Sequence, residues 1–592
     1  MGYNSSLHLF LRAIADCQPG ARSTRHGDAR LIRDKFLWIA LAVCVLSLAL
    51  FFRQFLDSGF NLIAGDLGDN RLVIAMLEHW RAVTHGRAFF TSPNFYWPQI
   101  GVLGYSEAFF LDTLPYQVGR AAGLDVYTAF ELTLIFLKAI GFFSMLWLLR
   151  SFIGVSRTVA LVGSALFTIS NLYFVTVNHS QLVAVVFVPL LLAFSCAAWR
   201  ASREERTIPT YIYSASSGLL LALILYTSFY IGWFAVLAGG ISIVSALVCY
   251  VFRRRTLLAF RRSVCPTALT GSALGTAALC FVIAIIPFIM TYAPALQQTG
   301  GRSFGECLLY SAQPIDVVNV GTSNLIWGRL LDKARIHLGY LPMTPSETET
   351  GWPPLTLATL AFGIILGFSR NGATSRKNKP CFLMVALGAS FIIGWGVSVK
   401  FHDHSFWWVV FKMVPGGSGI RVPARFDLVL NILVVVVVCL VLDEFHKRSG
   451  RVWTSIFWAL SLWLLVEQTN TAATHLIQRG SEDAILRRVK RPPSACASFF
   501  IVSPATPDRP GFANQVDAML IARRYNIPTL NGYSGWSPPG WDLSSFDNTY
   551  LRHVGDWART QRVLTGLCGL DLHNGDWIPG VRKLMESPTG LR

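Results

Sequence analysis

Eleven separate apolar runs punctuate this chain: Phe36–Leu56, Tyr127–Leu148, Thr158–Val177, Leu182–Trp199, Tyr211–Tyr226, Phe229–Phe252, Leu269–Met290, Pro353–Phe368, Cys381–Val399, Phe426–Leu442 and Trp453–Val466. A bilayer-crossing helix needs about 20 mainly apolar residues, and most of these runs approach that length. They predict an α-helical polytopic membrane protein with about 11 transmembrane helices. Only 14% of the residues are charged, against about 25% in soluble domains. The 53% hydrophobic content also excludes a disordered chain, which needs low hydrophobicity.

The net charge of +18 suits either a nucleic-acid binder or a membrane protein whose cytoplasmic loops collect Lys and Arg. The placement of the charges decides. With the N-terminus inside, the cytoplasmic segments 1–35, 149–157, 199–208, 252–266, 369–380 and 444–452 hold 23 Lys and Arg against six acids. The densest cluster is Arg253, Arg254, Arg255, Arg261 and Arg262. The region Arg53–Asp125 holds five basic residues against seven acids, and the tail from Gln468 holds 14 against 10. The basic excess is thus a topology signal, and no nucleic-acid partner is expected. The expected layout is a basic cytoplasmic N-terminus (1–35), a membrane domain (36–467) with outer loops 57–126 and 291–352, and an extracytoplasmic C-terminal domain (468–592). Short β-like runs such as Ser498–Val502 make that domain mixed α/β or β-rich. No cleavable signal is expected. The localisation is the cytoplasmic (inner) membrane, multi-pass.

Five of the eleven cysteines, Cys44, Cys196, Cys249, Cys280 and Cys439, sit in apolar runs as small hydrophobes. Cys496 and Cys568 share the tail and are a candidate disulfide, which sequence alone leaves open.

The first outer loop carries Gly65-Asp66-Leu67-Gly68-Asp69-Asn70-Arg71 at the start of an amphipathic helical pattern. Two carboxylates three residues apart share one helix face or one metal ion. Asp69 reads equally as a helix N-cap, whereas the glycine-flanked Asp66 reads as functional. Arg421 and Arg425, at the outer end of a late span, suit bidentate binding of phosphate. Alternatively they anchor at the interface or pair with Asp427. The Gly416–Gly419 run before them is open to close anion approach. His179 reads as a substrate ligand, a proton shuttle or a helix-end cap, and Glu349 as a second acid or a cap. Lys138 lies in a span seven residues after Glu131, on nearly the same face, and is a pathway residue or half of a structural ion pair. His402 and His404 with Asp403 look like a metal site, but a solvated loop fits as well. Trp536 and Trp541 suit sugar stacking or interfacial anchoring.

The order of these segments resembles GT-C-type glycosyltransferases, and in particular the bacterial multi-spanning GT-C-like membrane proteins of mostly unassigned reaction. Asn178-His179-Ser180-Gln181, followed by Pro189-Leu190-Leu191, resembles their H-x-Q turn. Tyr310-Ser311-Ala312-Gln313-Pro314-Ile315-Asp316 resembles a loop pattern, Glu349-Thr350-Gly351-Trp352 an E…G segment, and Ile420-Arg421-Val422-Pro423-Ala424-Arg425-Phe426 an R-x-P-x-R-F motif. The resemblance implies a polyprenyl-phosphate-linked sugar donor and a glycan, lipid or protein acceptor, with membrane lipids around them. It also implies an outer-loop carboxylate as general base, with Asp66 and Asp69 as the catalytic candidates. Arg421, Arg425, His179, Gln181, Glu349 and Lys138 are then the substrate-binding candidates. The acids here are D-x-x-D rather than adjacent or D-x-D pairs, which leaves the base and the use of a divalent metal open. No nucleotide motif is visible. Two other readings are a transporter or flippase of a lipid-linked glycan and a non-catalytic envelope-assembly protein.

Overall fold

The structure is a computed structural model that describes residues 26–252, 268–340, 345–369, 379–503, 506 and 509–580. The first 25 residues and the Arg253–Arg262 cluster lie outside the described residues.

All eleven apolar runs are helical, but they are not equivalent. Seven helices are long and apolar enough to cross a membrane: Val126–Ile153, Arg157–Val175, Ser180–Arg203, Thr207–Thr227, Phe229–Phe252, Pro380–Ser398 and Pro423–His446. The run expected at Leu269–Met290 is a broken pair, Ala268–Ala284 and Ile286–Thr299, bent by 51°. Pro287 sits in the first turn of the second piece, where a missing N–H cannot continue the hydrogen-bond ladder of the first. Counted as one span, the pair makes eight among the described residues. The first expected span is the helix His26–Phe51, and the eighth and last are shorter apolar helices, Pro354–Ser369 and Arg451–Val466. Among the described residues, seven helices, or eight with the bent pair, thus meet the length and composition of a span.

Burial separates the helices by role. Pro423–His446 is almost wholly enclosed, whereas Phe229–Phe252 is largely exposed. Exposed apolar side chains such as Ile243, Val244 and Phe252 suit a lipid-facing surface, because lipid tails are as apolar as these side chains. Entry into the Val126–Ile153 helix is fixed by Asp125, whose carboxylate accepts from the backbone N–H groups of Tyr127 and Thr128 at 3.0 Å each.

Lys138 and Glu131 do not pair. The Lys138 ammonium lies over the rings of Phe51 (4.0 Å) and Tyr173 (4.8 Å) and reaches the Thr168 carbonyl at 3.4 Å. Aromatic faces take the place of a carboxylate. Glu131 accepts instead from the Ala64 N–H (2.8 Å) and faces His475 Nε2 at 3.1 Å. It ties the outer loop and the tail to the top of a span.

Beyond residue 468 the chain is mixed α/β. Ser498–Ile501 pairs in parallel with Leu567–Asp571, which pairs antiparallel with Asp576–Ile578. Helix Gly511–Tyr525 packs against the outer-loop helix Asp69–Thr84. Cys496 and Cys568 are disulfide-bonded across the parallel strands. Arg71, fully buried on the loop helix, meets Asp517 and, at 3.1 Å, Glu482. Arg509 reaches the same two acids at 2.6 and 3.0 Å. Alternating charges inside this contact satisfy one another, as buried charges must, and lock the tail onto the first loop.

Candidate active site

The site is assembled where the Asp69–Thr84 helix begins. Gly65 has φ +93°, and a Cβ there would lie 2.0 Å from Asn70 Nδ2. Only glycine permits this approach. Asn70 then holds both strands of the site: its Nδ2 donates to the carbonyls of Ala64 (2.9 Å) and Val177 (3.2 Å), and its Oδ1 accepts from the Ser180 N–H (3.1 Å). The D-x-x-D turn and the His179 turn are thereby fixed to each other.

Asp69 is clamped from two sides. His179 Nδ1 lies 2.8 Å from Oδ2, and the Tyr533 hydroxyl donates to Oδ1 at 2.9 Å. The N-cap reading of Asp69 is not realised, since it is the first helical residue and Gly68 is the cap, without a side-chain bond. Burial opposes ionisation of Asp69, but His179 and Tyr533 outweigh it and hold the carboxyl at about 2. Asp66 accepts the Gly68 N–H at 2.9 Å, with the Asp69 N–H also directed at its carboxylate, and no side chain donates to it among the described residues. Burial pushes its carboxyl up, aided by the charge of Asp69 and opposed by the Gly68 hydrogen bond and His179. Two acids three residues apart thus differ in character.

The third acid is Glu347, not the expected Glu349. Arg425 grips Glu347 through a bidentate pair, Nε to Oε2 at 2.9 Å and Nη2 to Oε1 at 2.7 Å. His179 Nε2 faces the same carboxylate at 3.6 Å. Burial opposes ionisation of Glu347, yet Arg425 and His179 keep its carboxyl below the usual range. Glu349 points the other way, against Gly321 and near Arg335; burial raises its carboxyl. Glu347 lies in the short helix Pro345–Thr348 and Glu349 just beyond it, and no local pattern in the sequence told the two acids apart.

Arg421 has its backbone N–H on the Tyr230 hydroxyl (2.8 Å) and its guanidinium over the Tyr310 ring at 5.0 Å. No carboxylate pairs with it among the described residues. Arg425 is therefore a neutralised partner of Glu347, while Arg421 is a cation free for a ligand. The Gly416–Gly419 run is not an anion cradle: Gly416 abuts Trp233 Nε1, and Gly417 packs on the Val410 carbonyl. Its small residues serve close packing. Gln181 lies in the first turn after His179 with a buried, unbonded Oε1. Lys138, enclosed by Phe51 and Tyr173, is not among the residues gathered here.

In the loop patterns, Tyr310 contributes the ring beneath Arg421, while Asp316 closes its own turn by accepting from the Gln313 N–H at 2.7 Å. Trp541 packs on Tyr96 with ring centres 4.8 Å apart, and Trp536 lies under Arg302 at 3.8 Å. Both rings are occupied within the protein. The residue of that segment which reaches the site is Tyr533.

A divalent cation fits this donor set poorly. Both oxygens of Asp69 are taken by His179 and Tyr533, and both of Glu347 by Arg425. Among the described residues no group of three His, Cys, Asp or Glu side chains is placed to hold a metal. His402 and His404 lie in a short hairpin, with Phe401 opposite His404.

No family model matches the sequence, and no curated protein matches it. A solved structure nonetheless shares the fold over most of the chain. The arabinofuranosyltransferase AftD from Mycobacteria superposes with a TM-score of 0.51 at 13% identity, over 90% of this chain. The chain spans only 35% of AftD. An oligosaccharyltransferase from Archaeoglobus fulgidus is matched over 90% of this chain and 67% of its own, at 13% identity and a TM-score of 0.45. ArnT from Cupriavidus metallidurans, bound to undecaprenyl phosphate, is matched over 83% and 84% at 12% identity and 0.34.

Proposed function

We propose that this protein is a membrane glycosyltransferase. It moves a sugar from a polyprenyl-phosphate donor to an acceptor hydroxyl at the outer face of the cytoplasmic membrane. The observation that carries the reading is the gathering of Asp66, the Asp69–His179–Glu347–Arg425 chain and the unpaired Arg421 from four distant segments on a GT-C fold. Asp66 is the general base: it is the least committed carboxylate and the one whose environment raises its proton affinity, as base catalysis requires. Asp69, held ionised by its partners, orients His179 and Tyr533 and does not take the proton. Arg421 receives the donor phosphate and stabilises the charge that develops as the phosphate departs. Displacement at the anomeric carbon then breaks its bond to phosphate oxygen and forms one to the acceptor oxygen, whose proton passes to Asp66.

The outer placement of residues 468–592 is supported by the basic cytoplasmic loops and by the Cys496–Cys568 disulfide, since disulfides persist in oxidising compartments. A transport reading leaned on Glu131 and Lys138 as charges lining a midplane path; Lys138 is instead enclosed by Phe51 and Tyr173, and Glu131 is taken by the Ala64 N–H and His475.

The test is transfer by the purified protein from polyprenyl-phosphate-linked pentoses and hexoses. Wild type should glycosylate an envelope glycan acceptor. The Asp66→Asn and Arg421→Gln proteins should insert normally and lose activity by about 100-fold or more. Full activity of Asp66→Asn would remove it as the base. Donor translocation without transfer would replace the reading with a flippase.

A further inference from the structure

Away from the D-x-x-D site, a second cavity opens between the first outer loop and the C-terminal α/β unit. Its volume is about 300 Å³, and Arg81, Arg87, Arg120, Arg523 and Arg524 line it. The Arg523 guanidinium has all three nitrogens buried without a hydrogen-bond partner. A buried cation left without acceptors is an expensive arrangement that an anion relieves. Nor do nearby acids neutralise the cavity. Glu78 is engaged by Arg120 at 2.7 Å and by the Tyr116 hydroxyl at 2.8 Å. Asp125 caps a helix and faces Arg479 at 3.7 Å, and Asp483 pairs with Arg487 at 2.6 Å. Arg81, Arg87 and Arg523 are left without an ion pair among the described residues. Burial pulls the Arg523 guanidinium down to about 10 despite Glu78, and burial together with the Arg523 charge pulls His79 down to about 4.

We infer that this cavity is a binding site for an oxyanion, a phosphate or carboxylate group on a ligand about the size of one sugar unit. Arg523 supplies a planar fork for two oxygens, and Arg81 and Arg87 approach from the loop side. Glu78 and Arg81 stand on the helix that Asp69 opens. Nine residues at about 1.5 Å each put the cavity about 14 Å along that helix from the carboxylate cluster. The site thus lies apart from the place assigned to the chemistry, and its existence does not depend on that chemistry.

The experiment is calorimetric titration of the full chain in neutral detergent with inorganic phosphate and glucose 6-phosphate, and with glucose as the uncharged control. The phosphates should bind saturably, glucose should not, and Arg523→Gln and Arg81→Gln should each weaken binding by about tenfold or more. The Asp66→Asn protein should bind as wild type does, so failure here and failure of the transfer reading are separable. Should Arg523→Gln fold poorly, Arg81→Gln, on the loop side of the cavity, gives the same readout. Repeating the titration in phosphatidylglycerol and in phosphatidylcholine nanodiscs identifies the natural source. Competition by the anionic lipid assigns the oxyanion to a headgroup, and absence of competition assigns it to a soluble glycan; each supports the site. Binding of glucose as tight as that of glucose 6-phosphate, unchanged binding in both arginine variants, or no saturation below about 10 mM phosphate overturns it.

Discussion

His179 Nδ1 lies 2.8 Å from Asp69 Oδ2 across 110 residues of sequence. This contact joins the first outer loop to the turn before the Ser180–Arg203 span, and Tyr533 adds the tail to the same carboxylate. Asp69 has a folded pKa near 2, below the ordinary value of about 3.9. A depressed carboxylate stabilises the fold above its unfolded pKa and loses that contribution as pH falls through the folded value. Thermal stability in detergent should therefore drop between about pH 4 and pH 2. The His179→Ala protein should show a shallower drop in that window.

Glu347 and Glu349 should behave oppositely. Glu347→Ala strands the buried Arg425 charge and should cost about 3–5 kcal/mol, with loss of activity. Glu349→Gln should leave transfer within about threefold of wild type, because a change away from the site is worth about 0.5 kcal/mol or less. Thermal midpoints and initial rates of the two proteins check this. Equal losses would put Glu349 in the site.

Removing the Tyr533 hydroxyl tests whether the tail is part of the site. Tyr533→Phe should cost about 1 kcal/mol of stability and slow transfer. In a double-mutant cycle with His179→Ala, the two effects should not add, since both side chains hold one carboxylate. Strict additivity would show that the tail acts elsewhere.

The buried Arg71–Asp517–Glu482–Arg509 cluster is the latch between loop and tail. Asp517→Ala leaves two arginines facing each other and should destabilise the contact by about 3–5 kcal/mol. Limited proteolysis should then cut within residues 468–592 faster than in wild type, while the membrane helices stay protected.

Reduction of Cys496–Cys568 opens a loop of 72 residues. Such a crosslink is worth about 2–4 kcal/mol, so reductant should lower the thermal midpoint of the wild type. The Cys496→Ser/Cys568→Ser protein should start lower and not respond to reductant.

Much of the chain could be read without its structure. Apolar length marks a span locally, since each helix satisfies its own backbone in lipid, and all eleven runs are indeed helices. The bend at Pro287 and the shorter helices Pro354–Ser369 and Arg451–Val466 are details that apolar length alone does not report. Asp66, Asp69, His179 and Arg421 were visible because each stands in a short local pattern of glycine, acid or base. Glu347, Asn70, Arg71 and Tyr533 were not, because their roles depend on partners more than 70 residues away. Arg425 looked like a phosphate ligand until Glu347 was found beside it, and Lys138 looked like half of an ion pair until its aromatic neighbours were known.

The sequence by itself determined that this chain is a bundle of membrane helices, and its charge counts supplied the expectation that basic and acid-bearing loops lie on opposite sides. Hydrophobic length and charge counts are properties of contiguous residues, and they need no knowledge of contacts. The tertiary structure alone decided which charges are free. A carboxylate clamped by His179 and Tyr533, an arginine neutralised by Glu347, and the unpaired guanidinium groups of Arg421 and Arg523 have the same chemistry in the sequence. Burial and the nearest opposite charge set them apart, and both are fixed only when distant segments pack.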